Sequence, residues 1–312
     1  MLIEVDANTY KGCFSYNPHP FISEPFLELN KVKAEKLIRL VDSLEKPGIG
    51  LVAGIKNNTI LSPFSAPFGG LHFRNEILYA NEIDNFIDSL LDFSISQGFS
   101  GIEITLPPDI YNQTFNAKTV NAFIRKGFHL LVPEITNWIN LQHFQGTFTQ
   151  KNSKEYYRQA LRNNLSFEIT SDKSEQFEIY DLICQNRAKF GRPIFMSFDD
   201  VIDTGKLWPI DFFKVIDVGK SIVASAIFYR SHPEIAYALF WGDNEKGRPL
   251  RAMDFIALNL WSYYKELGFK YIDLGISTET GTPNEGLLRF KESHDSTSSL
   301  RYKFVWHKKI NP

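Results

Sequence analysis

The chain of 312 residues has only two cysteines, Cys13 and Cys184. They are far apart and lack the paired spacing of a metal knuckle or redox dithiol. Neither a disulfide framework nor a cysteine metal site is expected, and a reducing, cytoplasmic compartment fits. No apolar run reaches the ~18 residues that a membrane-crossing helix requires, so no membrane span is expected. Met1-Leu2-Ile3-Glu4-Val5-Asp6 has no basic region before an apolar stretch, which argues against a signal peptide. Charge excess is also missing: the net charge is −2 and the pI near 6.4. A protein built chiefly to bind a polyanion carries a basic surplus, because phosphate contacts dominate that affinity. Two local basic clusters occur, Lys31, Lys33, Lys36 and Arg39, then Arg301, Lys303, His307, Lys308 and Lys309. Both are expected to be solvated faces of a helix or strand end.

The common catalytic signatures are absent as well. There is no phosphate loop ending in Gly-Lys-Ser/Thr, no Gly-x-Ser-x-Gly elbow and no His-Glu-x-x-His. The seven histidines are scattered, so no metal is expected.

Aromatics are abundant, with 27 Phe, 13 Tyr and 5 Trp, enough for two cores in a chain of two-domain length. Periodicity divides the chain into two similar series. In the first, a helix is expected over 33–43, strands over 51–56 and 59–64, and a helix over 81–97. That helix repeats Ile83, Phe86, Ile87, Leu90 and Leu91 at the spacing of a helix packed on a sheet. A strand over 101–105, a helix over 117–126 and a strand over 134–141 follow. The second series has helices over 153–163 and 175–189, a hairpin of 212–218 and 221–229, and a strand over 235–241. A long helix over 251–267, a strand over 271–275, a helix over 285–292 and a strand over 300–306 complete it. Gly98-Phe99 and Gly268-Phe269 end the corresponding helices. Each is followed at the same interval by an Ile-acid-aliphatic strand, Ile102-Glu103-Ile104 or Ile272-Asp273-Leu274, and later by Trp138 or Trp306. Duplication accounts for this, with the domains expected to meet near 143–152.

One constellation suggests chemistry. The strand ending Leu239-Phe240-Trp241 leads through Gly242-Asp243-Asn244-Glu245-Lys246-Gly247-Arg248-Pro249-Leu250-Arg251 into the long helix. A helix N-terminus offers unpaired N–H groups and a positive dipole end to a pyrophosphate. Gly247 would permit close approach, and Arg248 and Arg251 would add charge. An ordinary strand-to-helix turn with two solvated arginines explains the same residues.

The element order resembles the GNAT acyltransferase fold. Tyr271-Ile272-Asp273-Leu274-Gly275 and Glu285-Gly286-Leu287-Leu288-Arg289-Phe290-Lys291-Glu292 are similar to the closing signature of FemAB-like tandem acyltransferases. Asn17-Pro18-His19-Pro20-Phe21, Phe26-Leu27-Glu28-Leu29 and Ser62-Pro63-Phe64-Ser65-Ala66-Pro67-Phe68-Gly69-Gly70 are similar to their opening. The resemblance implies an α/β (α+β) chain of two tandem GNAT-like domains, each a mixed, mainly antiparallel sheet flanked by helices. Residues 1–145 would form a degenerate copy on the acceptor side or as scaffold, and 146–312 the acyltransferase domain.

The resemblance further implies transfer of an acyl group from acyl-CoA, acetyl-CoA first among the donors, to a primary amine of a small molecule or cell-envelope precursor. Asp273, Lys291, Tyr237 and Glu285 are the candidate catalytic residues. Phe240, Trp241, Gly247, Arg248 and Arg251 would hold the donor, and Arg289, Phe68 and Gly69 the acceptor. Only the central glycine of the family's pyrophosphate loop is matched, at Gly247. An aminoacyl-tRNA donor, or a non-catalytic binding or scaffold role, therefore stays open.

Overall fold

The computed structural model describes residues 1–14, 18–75 and 77–308, so Asn17 and Lys309, named above, lie outside the described residues. The chain divides into two compact units. The first comprises Met1–Ile135 with Thr280–Thr282 and the described residues from Ser299 on; the second comprises Thr136–Glu279 and Pro283–Ser298.

In the first unit, Lys36–Val41 pairs antiparallel with Ile49–Lys56, which turns through Asn57 and Asn58, both at positive φ, into Thr59–Ser62. Thr59–Ser62 lies parallel to Gly101–Thr105, and Gly101–Thr105 pairs antiparallel with Lys303–His307. The helix Ala80–Ser96 lays Ile83, Phe86, Ile87 and Leu90 against this sheet. A second helix, Asp109–Arg125, begins well before the expected 117 and is kinked at Asn112.

The helix expected over 33–43 is instead the strand Lys36–Val41. Leu37, Ile38, Leu40 and Val41 suit either period, because both faces of this strand are covered. Ile38 and Leu40 enter the main core, while Leu37 and Val41 face a smaller cluster with Tyr10 and Phe14. In the basic cluster here Lys31, Lys33 and Lys36 are exposed as expected, on a 3-10 turn and a strand end, whereas Arg39 is buried. Arg39 bonds Glu24 and Glu28, Lys31 bonds Glu28, and Lys36 bonds Glu4.

In the second unit, a sheet runs in the order Thr297–Arg301, Glu134–Asn140, Tyr271–Ile276, Ile235–Asp243, Ile222–Tyr229, Ile210–Ile216, Ser166–Thr170. The helix Ala252–Glu266 buries Ile256, Ala257, Leu260, Trp261 and Tyr264 on one face of it. The helix Lys173–Lys189 covers the other face with Ile179 and Ile183. The two Gly-Phe stops are the same device. Gly98 and Gly268 take positive φ, and Phe99 and Phe269 donate to carbonyls five residues back, Ser94 and Tyr264. That is the closure of a Schellman cap, which glycine enters without a Cβ penalty.

The units are not the sequential halves 1–145 and 146–312. Glu134–Asn140, which carries Trp138, pairs with Tyr271–Ile276 in the second sheet. Lys303–His307, which carries Trp306, pairs with Gly101–Thr105 in the first. Each series thus gives its closing strand to the other's sheet, because each Ile-acid-aliphatic strand has its parallel neighbour on one edge and needs an antiparallel one on the other. The 143–152 stretch, where the domains were expected to meet, falls inside the second unit.

Candidate active site

The site is set by two neighbouring strands that begin together and part. Ile235–Asp243 and Tyr271–Ile276 pair in parallel over three positions, ending at Tyr237 opposite Asp273. Beyond Tyr237 the first strand stays in register only with Ile222–Tyr229. A bulge lies at the point of parting: Phe228 opposes Ala238 and Ile227 opposes Phe240, so Leu239 is the extra residue. Leu239 and Phe240 consequently both pack on the Lys173–Lys189 side, while Ala238 and Trp241 pack on the Ala252–Glu266 side. A bulge bends its strand and raises its twist, which turns Ile235–Asp243 away from its neighbour.

Asp273 and Lys291 meet at this opening. Ala236, Ala238, Ile272 and Leu274 belong to the Ala252–Glu266 core, so alternation turns Tyr237 and Asp273 to the opposite face. Asp273 is 1% exposed and accepts a hydrogen bond from the Gly275 amide at 2.8 Å. The helix Glu285–Ser293, capped by the Asn284 side chain, brings Lys291 in. Its Nζ, also buried, donates to the carbonyls of Gly275 and Ile276 at 2.9 Å each. Burial pushes the Lys291 pKa down to about 7 against the pull of Asp273, and the Arg187 charge adds to the depression.

On one side of the helix Glu285–Ser293 lies a cavity of about 520 Å³, bounded by Trp241, Phe290, Asp243, Arg248, Arg251 and the first turn of Ala252–Glu266. No side chain caps that helix. Arg251 lies over the Tyr156 ring at 3.8 Å and Arg248 over the Phe190 ring at 5.5 Å. Gly247 does not serve close approach of a ligand. Its N–H is taken by Asn244, and a Cβ there would lie 2.2 Å from the Val223 carbonyl oxygen. Two acids share the cavity. Burial raises the Asp243 pKa, and Asp254 is buried with His294 Nε2 at 3.0 Å. The other ring nitrogen of His294 faces the Phe290 carbonyl at 2.6 Å. Both ring nitrogens thus meet oxygen atoms, which fixes the ring against the first turn of Ala252–Glu266.

The remaining candidates fall elsewhere. Glu285 and Arg289 are exposed and face each other at 3.9 Å, so neither joins the buried cluster. Phe68 and Gly69 belong to the first unit. Phe68 is buried among His19, Phe21 and Tyr111. Gly69 donates to the Thr105 carbonyl and Gly70 to Ser62 Oγ, so these residues lie against the end of the first unit's parallel pair. Arg187, Asp254 and His294 were not anticipated. Arg187 sits in the last turn of an otherwise ordinary helix. The Asp254–His294 pair is 40 residues apart, a separation that carries no local signal. Among the described residues no group of three His, Cys, Asp or Glu is placed to hold a metal ion, and no helix is long and apolar enough to cross a membrane.

Two mixed α/β units, the second with two parallel strands that part beside a bulge, define the class: this is the FemAB-like tandem GNAT fold. Among solved structures the chain is similar to FemX, with a TM-score of 0.68 at 11% identity over 99% of this chain and 97% of that one. It is similar to the L-PGS of Bacillus licheniformis, with a TM-score of 0.61 at 12% identity over 99% and 94%. It is also similar to a tandem GNAT protein from the clavulanic acid biosynthesis pathway, with a TM-score of 0.55 at 8% identity over 100% and 99%. No family model and no curated protein sequence matches the chain.

Proposed function

We propose that the second unit transfers an acyl group from an activated ester to a primary amine. The observation that carries this is the parting of the two strands beyond the Tyr237–Asp273 pair, with the buried Lys291 side chain fixed beside it. The amine nitrogen attacks the ester carbonyl carbon, the carbonyl oxygen takes the negative charge, and the C–S or C–O bond to the leaving group breaks. In its protonated form, present near neutrality with a pKa of about 7, Lys291 offers its third N–H to that oxygen. A preorganised donor in a buried site stabilises the charge without reorganisation. Asp273 is the nearby carboxylate for the proton lost by the amine.

In the first reading the donor is an acyl-CoA, acetyl-CoA foremost, lying in the cavity with its phosphates toward Arg248 and Arg251. One observation favours a second reading, in which the donor is an aminoacyl ester carried by tRNA. Asp243 opposes a pyrophosphate but suits an α-ammonium, and the Gly247 amide is already spent on Asn244. The test is a thermal-shift and transfer assay with acyl-CoAs and with charged tRNA, comparing the parent with Lys291→Met. Loss of a preorganised donor of this kind costs about 100- to 1,000-fold in turnover. We expect a loss of that size with no fall in melting temperature. Equal loss of turnover and stability removes the assignment, and absence of any shift or transfer with either donor class removes the enzyme reading.

A further inference from the structure

A second cavity of about 420 Å³ lies on the other side of Leu287, which lines both. Arg187, Arg192, Ser277 and Glu279 line it. Arg192 is half-satisfied by Glu279 at 3.4 Å. Arg187 is different. Its guanidinium is partly buried, yet among the described residues it makes no hydrogen bond and no ion pair. Ile276 also lines this cavity, and its carbonyl accepts from Lys291 Nζ, so the cavity with Arg187 borders the site of Lys291 and Asp273. A guanidinium withdrawn from water without an anion lowers stability, so such a group is kept where a ligand completes it.

We infer that this cavity is the acceptor subsite and that the acceptor is an amino carboxylate: Arg187 binds its single carboxylate while its amine points to the opening at Asp273. This rests on the transferase reading above. Two arginines and one glutamate leave one net positive charge, which one carboxylate matches and a phosphate dianion overshoots. The volume lies within the ordinary range for a small-molecule site, and the planar fork of Arg187 suits a carboxylate held through two parallel bonds.

The experiment is a thermal-shift titration of the whole chain at constant ionic strength. The probes are L-alanine, 4-aminobutyrate and L-lysine, each beside its carboxamide, with inorganic phosphate as the dianion. A saturable rise with at least one amino carboxylate is expected, and none with its amide or with phosphate. Arg187→Gln should weaken that binding at least tenfold, whereas Arg158→Gln, at an exposed arginine outside both cavities, should leave it unchanged. Without ligand, Arg187→Gln should melt no lower than the parent, since it removes an unpaired buried charge; a purely structural arginine gives the opposite. Arg187→Lys, which keeps the charge and loses the fork, should bind with intermediate affinity and serves if the glutamine variant does not fold. The inference is overturned by no shift with any amino carboxylate, by equal shifts with acid and amide, by preference for phosphate, or by binding that survives Arg187→Gln. Because the readout is binding alone, failure of Lys291→Met to alter turnover sinks the transferase reading and leaves this result to be judged by itself.

Discussion

Lys291 and His72 are both buried bases whose protons are disfavoured, and their pH signatures fall in different windows. Lys291 drops from 10.5 to about 7 on folding. Between those values the unfolded chain holds a proton that the folded protein lacks, so stability rises with pH across the window and is lost as pH falls toward 7. Lys291→Met removes that dependence. The variant should exceed the parent in melting temperature most at pH 7 or below, with the gap closing toward pH 10. A gap independent of pH excludes a depressed lysine. His72 falls from 6.5 to about 3 through burial, with its Nδ1 2.7 Å from the Tyr10 hydroxyl and its ring stacked on Phe14. Its contribution is complete above pH 6.5 and is lost as pH falls toward 3. An NMR titration should find its ring neutral down to pH 4.5; an inflection near 6.5 contradicts this.

At the scale of elements, the strand-to-helix turn before Ala252–Glu266 is held by packing rather than shaped for a phosphate. Gly247 has no room for a methyl group, because the atom it would meet is the backbone oxygen of Val223 and cannot swing aside. Gly247→Ala should destabilise the second unit by about 1–3 kcal/mol, the usual penalty of overpacking, measured by urea denaturation. A neutral result shows that the turn can yield. The sequence pattern for this turn is the same whether its glycine serves a ligand or a neighbouring strand, and only the register beside Val223 distinguishes them. The stripe from Ile83 to Leu90 and the Gly-Phe caps were legible because they are local and periodic. Lys36–Val41 was not, because a strand covered on both faces carries apolar residues at helical as well as alternate spacing. The opening at Tyr237 and Asp273 was legible only as a pair of strands. The bulge at Leu239, which parts them, depends on a register with Ile222–Tyr229 that no local pattern encodes. Lys291 and Asp273 were found because they sit within short motifs, whereas Arg187 becomes notable only through the missing partner.

For the whole molecule, the exchange of closing strands has a consequence that sequential halves do not share. Trp138 and Trp306 sit in equivalent patterns, and a pattern says which strand closes a sheet without saying whose sheet. In the structure the Lys303–His307 strand covers the edge of Gly101–Thr105, and Phe304, fully buried, enters the first unit's core beside Phe123. A chain ending at Ser298 therefore exposes an edge and opens a cavity in the first unit. Removing a buried phenylalanine alone costs about 3–5 kcal/mol, a large share of a domain's stability of about 5–15 kcal/mol. Amide hydrogen exchange on the truncated chain should show lost protection in Gly101–Thr105 and in the helix Asp109–Arg125. The Ile222–Tyr229 and Ile235–Asp243 strands should keep theirs, because their ladder and the Ala252–Glu266 core are intact. If the second unit loses protection first, the closing strand belongs to its own half, and the division of the chain at Ile135 does not hold.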